Sequence, residues 1–253
     1  MVEESPGEGP APEATGDPYL EPSAPFPETG GQVSGHRPAS VSSRSITESP
    51  EHDWAAARSL VFPILRPPGT VGADPEVKLD VLRSQRAQHI LPLASPGPAG
   101  LVVSFALQGP GFQVLVNGEH LLSWGLEADE LATAAGMNLA AWSAGAGWTD
   151  EISGRRRILS SDTGAGHDAA RILLSEVREH LARELTAEAE PGTRILVGVP
   201  ERHLLLAGTL APDDEEFAVL FHEFVAEHAE DADEPIDRRV LELRDGDLVW
   251  YAG

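Results

Sequence analysis

"SSDTGAGHDAARILL", residues Ser160 to Leu174, carries Gly164, Gly166 and Ala169 in the G-x-G-x-x-G/A spacing that cradles a dinucleotide pyrophosphate. If the stretch is that loop, the chain is a doubly wound α/β protein with a parallel sheet. If it is only a glycine-permitted turn, the fold must be read from the other segments. A pyrophosphate loop needs a buried strand before it, a helix N-terminus behind it, and an acidic residue about 20 positions further on for the ribose. The upstream "RRRILSS" (155–161) has only Ile158 and Leu159 as apolar residues, too few for a central parallel strand. The next acid at the end of an apolar run is Glu201, 37 positions beyond Gly164. Asp168 would sit in the first helical turn, in the electropositive place a phosphate would take. Two like charges ~4 Å apart cost about 4 kcal/mol at an effective dielectric of ~20. The favoured reading is a turn, with Asp168 capping a helix. The alternative is a nucleotide- or dinucleotide-binding enzyme that uses Gly164-Ala165-Gly166, with Arg155, Arg156 and Arg157 offsetting the carboxylate.

The segments around this loop alternate in a way that argues against parallel β-α-β units. "SLVFPILRPP" (59–68) and "LVVSFALQGPGFQVLVNGEHLLSW" (101–124) read as strands, with "QGPG" and Asn117-Gly118 as hairpin turns. A helix follows from about Glu127 to Trp142, with Leu131, Ala135, Leu139 and Trp142 on one face. After a weak strand at 158–160, a second helix is predicted from about Asp168 to Leu185, its stripe being Ala170, Leu173, Leu174, Val177, Leu181 and Leu185. "GTRILVGVP" (192–200) and "HLLLAGTL" (203–210) are strands. Pro212 opens a helix with Phe217, Leu220, Phe221, Phe224 and His228 inward, and "RRVLELRDGDLVWY" (238–251) closes as a hairpin turning at Asp245-Gly246. This order predicts an α+β fold: a mixed, largely antiparallel sheet packed by about three helices.

The 253 residues carry a net charge of −23, and 41% are hydrophobic, which is enough for one good-sized core. Such a charge opposes nucleic acid and anionic membrane surfaces, so neither is expected as a partner, whereas a basic protein is electrostatically suited. No cysteine is present, which excludes disulfides and thiol chemistry. "MVEESPGEGP" resembles no leader and no apolar run approaches the ~20 residues of a span, so the expected compartment is the cytoplasm. Residues 1–50 hold nine prolines, six glycines and eight acids against two arginines, a composition predicted to form a disordered acidic arm. Residues 51–253 are then a single domain.

Motifs that bear chemistry are few. In "HEFVAEH" (222–228) the second histidine comes six positions on, not the four a zinc helix requires, and "EDADEPIDRR" (230–239) has Pro235 and Ile236 where a calcium loop needs a donor and a glycine. No catalytic set, metal or cofactor is expected. The candidate binding surface is made by Trp142 and Trp148, which flank "SAGAG", together with Gly164, Gly166, His167 and Asp168.

From "VLVNGEHLLSWGLEADELATAAGMNLAAWS" through "DTGAGHDAARILL" to "RILVGVPERHLLLAG", the chain resembles the YtpQ-like family of bacterial proteins, built around a domain of unknown function. The resemblance spans about residues 100–245 and rests on Asn138 near a helix end, Asp168-Ala169 opening a second helix, and a P-x-R turn at Pro200–Arg202. It implies a kinship of fold and no activity. Taken together, these readings predict a non-catalytic cytoplasmic binding module.

Overall fold

A computed structural model describes residues 49–253, apart from 77, 85–88 and 110–111. The predicted acidic arm lies outside the described residues. The fold is α+β, as expected, but with two antiparallel sheets and six α-helices among the described residues rather than about three.

The first sheet is centred on β3 (Val102–Gly109). Its neighbour β1 (Val61–Arg66) lies on one side, while β2 (Ala94–Pro96) and β4 (Phe112–Leu115) share the other. Pro63 is tolerated in β1 because that strand pairs only with β3 and has a free edge. Helix α1 (Trp54–Ala57), capped by Asp53, leads into β1, and α2 (Leu79–Ser84) precedes β2. The Asn117-Gly118 pair makes no hairpin. Asn117 has an extended backbone, and its side-chain oxygen accepts from the Glu119 and His120 N–H groups, so it caps α3 (Gly118–Trp124). Asparagine serves a cap as well as a turn, and here the pair opens a helix rather than a second strand. Helix α4 (Ala128–Gly145) outlasts the predicted end at Trp142 and buries Leu131, Ala135, Leu139 and Ser143. From its flank the Asn138 Nδ2 donates to the Arg58 and Val61 carbonyls, both at 2.8 Å, and so fastens the start of β1.

The second sheet runs β10-β9-β7-β8-β6-β5 and is antiparallel throughout. β5 (Thr149–Ser153) and β6 (Arg156–Ser161) form a hairpin through Gly154; β5 is exposed at all five positions and so has no apolar alternation to read. β7 (Arg194–Gly198) and β8 (Leu205–Leu210) are its centre, and every residue of β8 is buried. Alternate β8 side chains face α5 (Ser175–Thr186) on one side and α6 (Glu215–Asp231) on the other: Leu205 and Ala207 pack with Leu181 and Leu185, Leu206 and Leu210 with Phe217 and Phe221. Gly208 allows the close approach of α6, since a Cβ there would come within 2.9 Å of the Phe217 ring. The stripe of α6 is Phe217, Phe221, Val225 and Ala229; Leu220, Phe224 and His228, expected inside, are not among its buried residues. The closing hairpin of β9 (Leu241–Arg244) and β10 (Asp247–Trp250) turns at Asp245-Gly246, both at positive φ, as read from the sequence.

The helix predicted from Asp168 to Leu185 is broken. Residues Ala169–Leu173 form a 3₁₀ turn, Leu174 is extended, and only then does α5 begin. The Arg178 guanidinium donates to the Ile172 and Leu173 carbonyls, occupying acceptors that a continuous helix would have paired internally. Ile172 is fully buried in this arrangement, while Leu173 and Leu174 are half-buried. The turn packs among Leu65 and Leu101 of the first sheet region and Leu159 and Leu181 of the second, so the glycine loop lies where the two sheets meet.

Candidate ligand pocket at the glycine loop

Beneath the loop lies a buried polar network. The Asp168 carboxylate, wholly buried, accepts from the Ser161 hydroxyl at 2.5 Å, the Thr163 hydroxyl at 2.9 Å and the Thr163 N–H at 3.1 Å. The Ser161 oxygen in turn accepts from Arg171 Nη1 at 2.7 Å. The buried Arg171 guanidinium also donates to Ser143 Oγ and to the carbonyls of Ser143, Ala146 and Gly147, which closes the end of α4. Trp148 covers its face at 4.0 Å. Burial pulls the Arg171 pKa down, and Asp168 opposes that shift. Asp168 is therefore not a helix cap: it makes no capping bond and has helical backbone angles of its own. It fixes the turn from inside.

Above this network, Gly164 and Gly166 hold positive φ angles of 72° and 80°, which turn the chain so that His167 points inward and only 7% of it is exposed. Its ring stacks on Phe62 at 3.8 Å and meets the edge of Trp142 at 5.1 Å. Burial pushes its pKa down to about 4; Asp168 resists, while Arg202 and His203 add to the fall. At neutral pH the ring is uncharged.

The loop forms one wall of a pocket of about 590 Å³. Gln108, Phe112 and Gln113 of the β3–β4 hairpin form a second wall, and Arg202 and His203 of the turn before β8 a third. The Arg202 carbonyl accepts from the Ala169 N–H at 3.1 Å, which ties that turn to the loop. Its guanidinium donates to Gln113 Oε1, lies 3.5 Å from Glu234, and donates through Nε to His203 Nε2 at 2.9 Å. Since a guanidinium only donates, His203 Nε2 is bare and its ring proton is on Nδ1.

Three buried side-chain nitrogens among the described residues have no hydrogen-bond partner: Gln108 Nε2, His167 Nδ1 and His203 Nδ1. All three belong to residues lining this pocket. An unpaired buried polar group costs about 1–3 kcal/mol, so three at one place is a concentration of unmet polar capacity. Four other clefts on the described surface each contain at least one carboxylate; this one contains none.

Gly164, Gly166 and His167 thus form the pocket wall, Asp168 is its buried foundation, and Trp142 backs His167. Trp148 belongs to a different cleft, beside Arg171 and His180. Arg155, Arg156 and Arg157 lie at the far end of β6 from the loop and are paired: Arg155 with Glu190 and Asp213, Arg156 with Asp214 and Glu216, Arg157 with Asp150. The parts of a pyrophosphate site are not assembled, because β6 has antiparallel neighbours on both sides and a five-residue 3₁₀ turn follows the loop. Among the described residues no group of three or more histidines or carboxylates is placed to hold a metal ion. There too, no helix is long and apolar enough to cross a membrane. Sequence reasoning missed Gln108, Arg202 and His203 as pocket residues; the only signal was the P-x-R turn at Pro200–Arg202, read as part of a family resemblance. No family model, curated protein or solved structure matches the chain.

Proposed function

We propose that this chain is a cytoplasmic, non-catalytic binding module whose ligand occupies the pocket between the β3–β4 hairpin and the glycine loop. The observation that carries the reading is the gathering of three unpartnered buried nitrogens in one carboxylate-free pocket. Binding is favoured over catalysis because, among the described residues, no carboxylate hydrogen-bonds His167 or His203, while the nearby Ser161 and Thr163 hydroxyls are committed to Asp168. Kinship with the YtpQ-like proteins is part of the proposal and rests on the sequence pattern alone. The test is a thermal-shift screen of the intact chain against small acids, amines, sugars and nucleotides, beside His203→Phe. A ligand at ~100 times its Kd stabilises the fold by about 2.7 kcal/mol. The reading fails if no compound stabilises the wild type more than the variant.

A second reading adds a basic protein partner. On α6, Val219, Leu220 and Phe224 are exposed by 56, 48 and 44%, among Glu216, Glu223 and Glu227. Apolar side chains within an acidic face suit an amphipathic basic segment. An Arg/Lys-rich helical peptide is expected to bind, more weakly at high salt, and to lose affinity with Phe224→Ser; indifference to that change sinks the idea.

A further inference from the structure

We infer that the pocket takes the carboxylate of a small organic acid with a flat apolar body, an inference that rests on the binding reading above and gives it a ligand class. The sense of the unmet groups decides the charge. The amide nitrogen of Gln108 only donates, and His203 Nδ1 carries its ring's proton, so both ask for an acceptor oxygen. A cation finds no carboxylate in the lining, although the chain has 41 acidic residues against 18 basic ones. In so acidic a protein, a cleft with no carboxylate in its lining and bordered by Arg202 suits an anion better than the four carboxylate-lined clefts.

The number of charges follows from the same residues. Arg202 is the one cation in the wall, and Glu234 at 3.5 Å already balances part of its charge; the other donors are neutral. That set matches a single negative charge spread over two oxygens better than a phosphate dianion. The size of the ligand follows from the volume. About 590 Å³ exceeds what a carboxylate fills and lies in the range of small-molecule sites. Phe112 supplies an apolar platform: its ring is laid over Gly109, where a Cβ would clash at 2.4 Å, and it remains 42% exposed. An aromatic side chain left open beside orphan donors fits a ligand with a polar head and a flat body.

The experiment is calorimetric titration of the full chain with four probes: benzoate, its neutral isostere benzamide, acetate and inorganic phosphate. Benzoate should bind at least about tenfold more tightly than each of the others, the equivalent of one charge-assisted hydrogen bond. Arg202→Gln should cost benzoate about tenfold or more. Glu234→Gln, at an exposed position, should tighten it by freeing Arg202, which guards against a variant that merely misfolds. Equal affinity for benzamide, or preference for phosphate, overturns the ligand class while leaving the binding module intact. So does benzoate affinity unmoved by both variants. If compounds of other classes bind at the pocket and benzoate does not, only this inference fails. If nothing binds there, both fail.

Discussion

Asp168→Asn separates a surface cap from a buried foundation. At a cap the exchange is nearly free, because asparagine caps as well as aspartate. In the structure the carboxylate is wholly buried, takes three hydrogen bonds, and reaches the buried Arg171 guanidinium through Ser161. The amide retains much of this bonding: Oδ1 can still accept from Ser161 and the Thr163 N–H, and the amide nitrogen can donate to the Thr163 hydroxyl. What it cannot retain is the charge. Among the described residues Arg171 makes no direct salt bridge, its other partners being neutral hydroxyls and carbonyls, so without Asp168 its charge is buried uncompensated. Removing one member of a buried pair costs about 3–5 kcal/mol, and the bridged geometry places this case near the lower figure. That is a large part of the ~5–15 kcal/mol by which a domain is stable. Urea unfolding followed by tryptophan fluorescence should show a lower midpoint at unchanged slope. Adding Arg171→Met should return part of the loss, since the charge left stranded is then removed. A loss below about 1 kcal/mol for Asp168→Asn, in the range of a capping change, refutes the foundation argument.

His167 gives a pH dependence. The unfolded ring takes a proton near 6.5, but the folded one resists until about 4, so stability is full above pH 6.5 and is lost as the pH falls toward 4, by about 3 kcal/mol. His120 and His180 shift in the same direction, so the measurement is the difference between wild type and His167→Leu in urea midpoints at pH 7.5 and 4.5; equal acid losses contradict the assignment. Asn117→Ala removes the side-chain acceptor of the α3 capping box, leaving the bond from its backbone N–H to His120 Nδ1, and should cost about 1 kcal/mol in the same assay, whereas a hairpin turn would show its larger penalty at Gly118. Ile172→Asp should abolish soluble expression, while Leu174→Asp should remain folded, because the 3₁₀ break turns the first fully inward and leaves the second half-exposed; the reverse order would restore the continuous helix.

Where side-chain pattern and backbone demand agree, the fold was legible. β7, β8 and the closing hairpin follow from continuous apolar runs and from Asp245-Gly246, and α6 from its acidic first turn. Errors cluster where one residue type serves two geometries. Asn117-Gly118 suits a type I′ turn and a helix cap equally, and only the missing strand partner decides between them. Leu220 and Phe224 fit a helical stripe one step removed from the true one, at Phe217, Phe221, Val225 and Ala229, because α6 is apolar on more than its core face. Asp168 reads from the sequence as a helix cap; that it meets Arg171 through Ser161, seven positions before the one and ten before the other, is a tertiary fact with no local trace.

The glycine loop is the turn that the sequence favours, but Asp168 fixes it from inside rather than capping a helix. Its glycines suggested an anion held by backbone N–H groups at a helix start, but they serve instead to turn His167 inward. The pocket's other donors come from segments about 56 positions before and 39 after Gly164, at Gln108 and His203, and neither lies in a pattern that marks it as unusual. What distinguishes them is visible only after folding, as hydrogen-bonding capacity left unused. Among the described residues the other buried side-chain nitrogens and oxygens are partnered, even around so costly a residue as Arg171, so unpaired nitrogens confined to residues lining one pocket are not a general failure of packing. A scaffold able to seat a buried guanidinium with five hydrogen bonds can also pair one amide and two ring nitrogens if nothing else must enter. Leaving them open is destabilising for the empty protein and useful only to one that binds, so Gln108→Leu should raise the stability of the unliganded chain while weakening its hold on an acid.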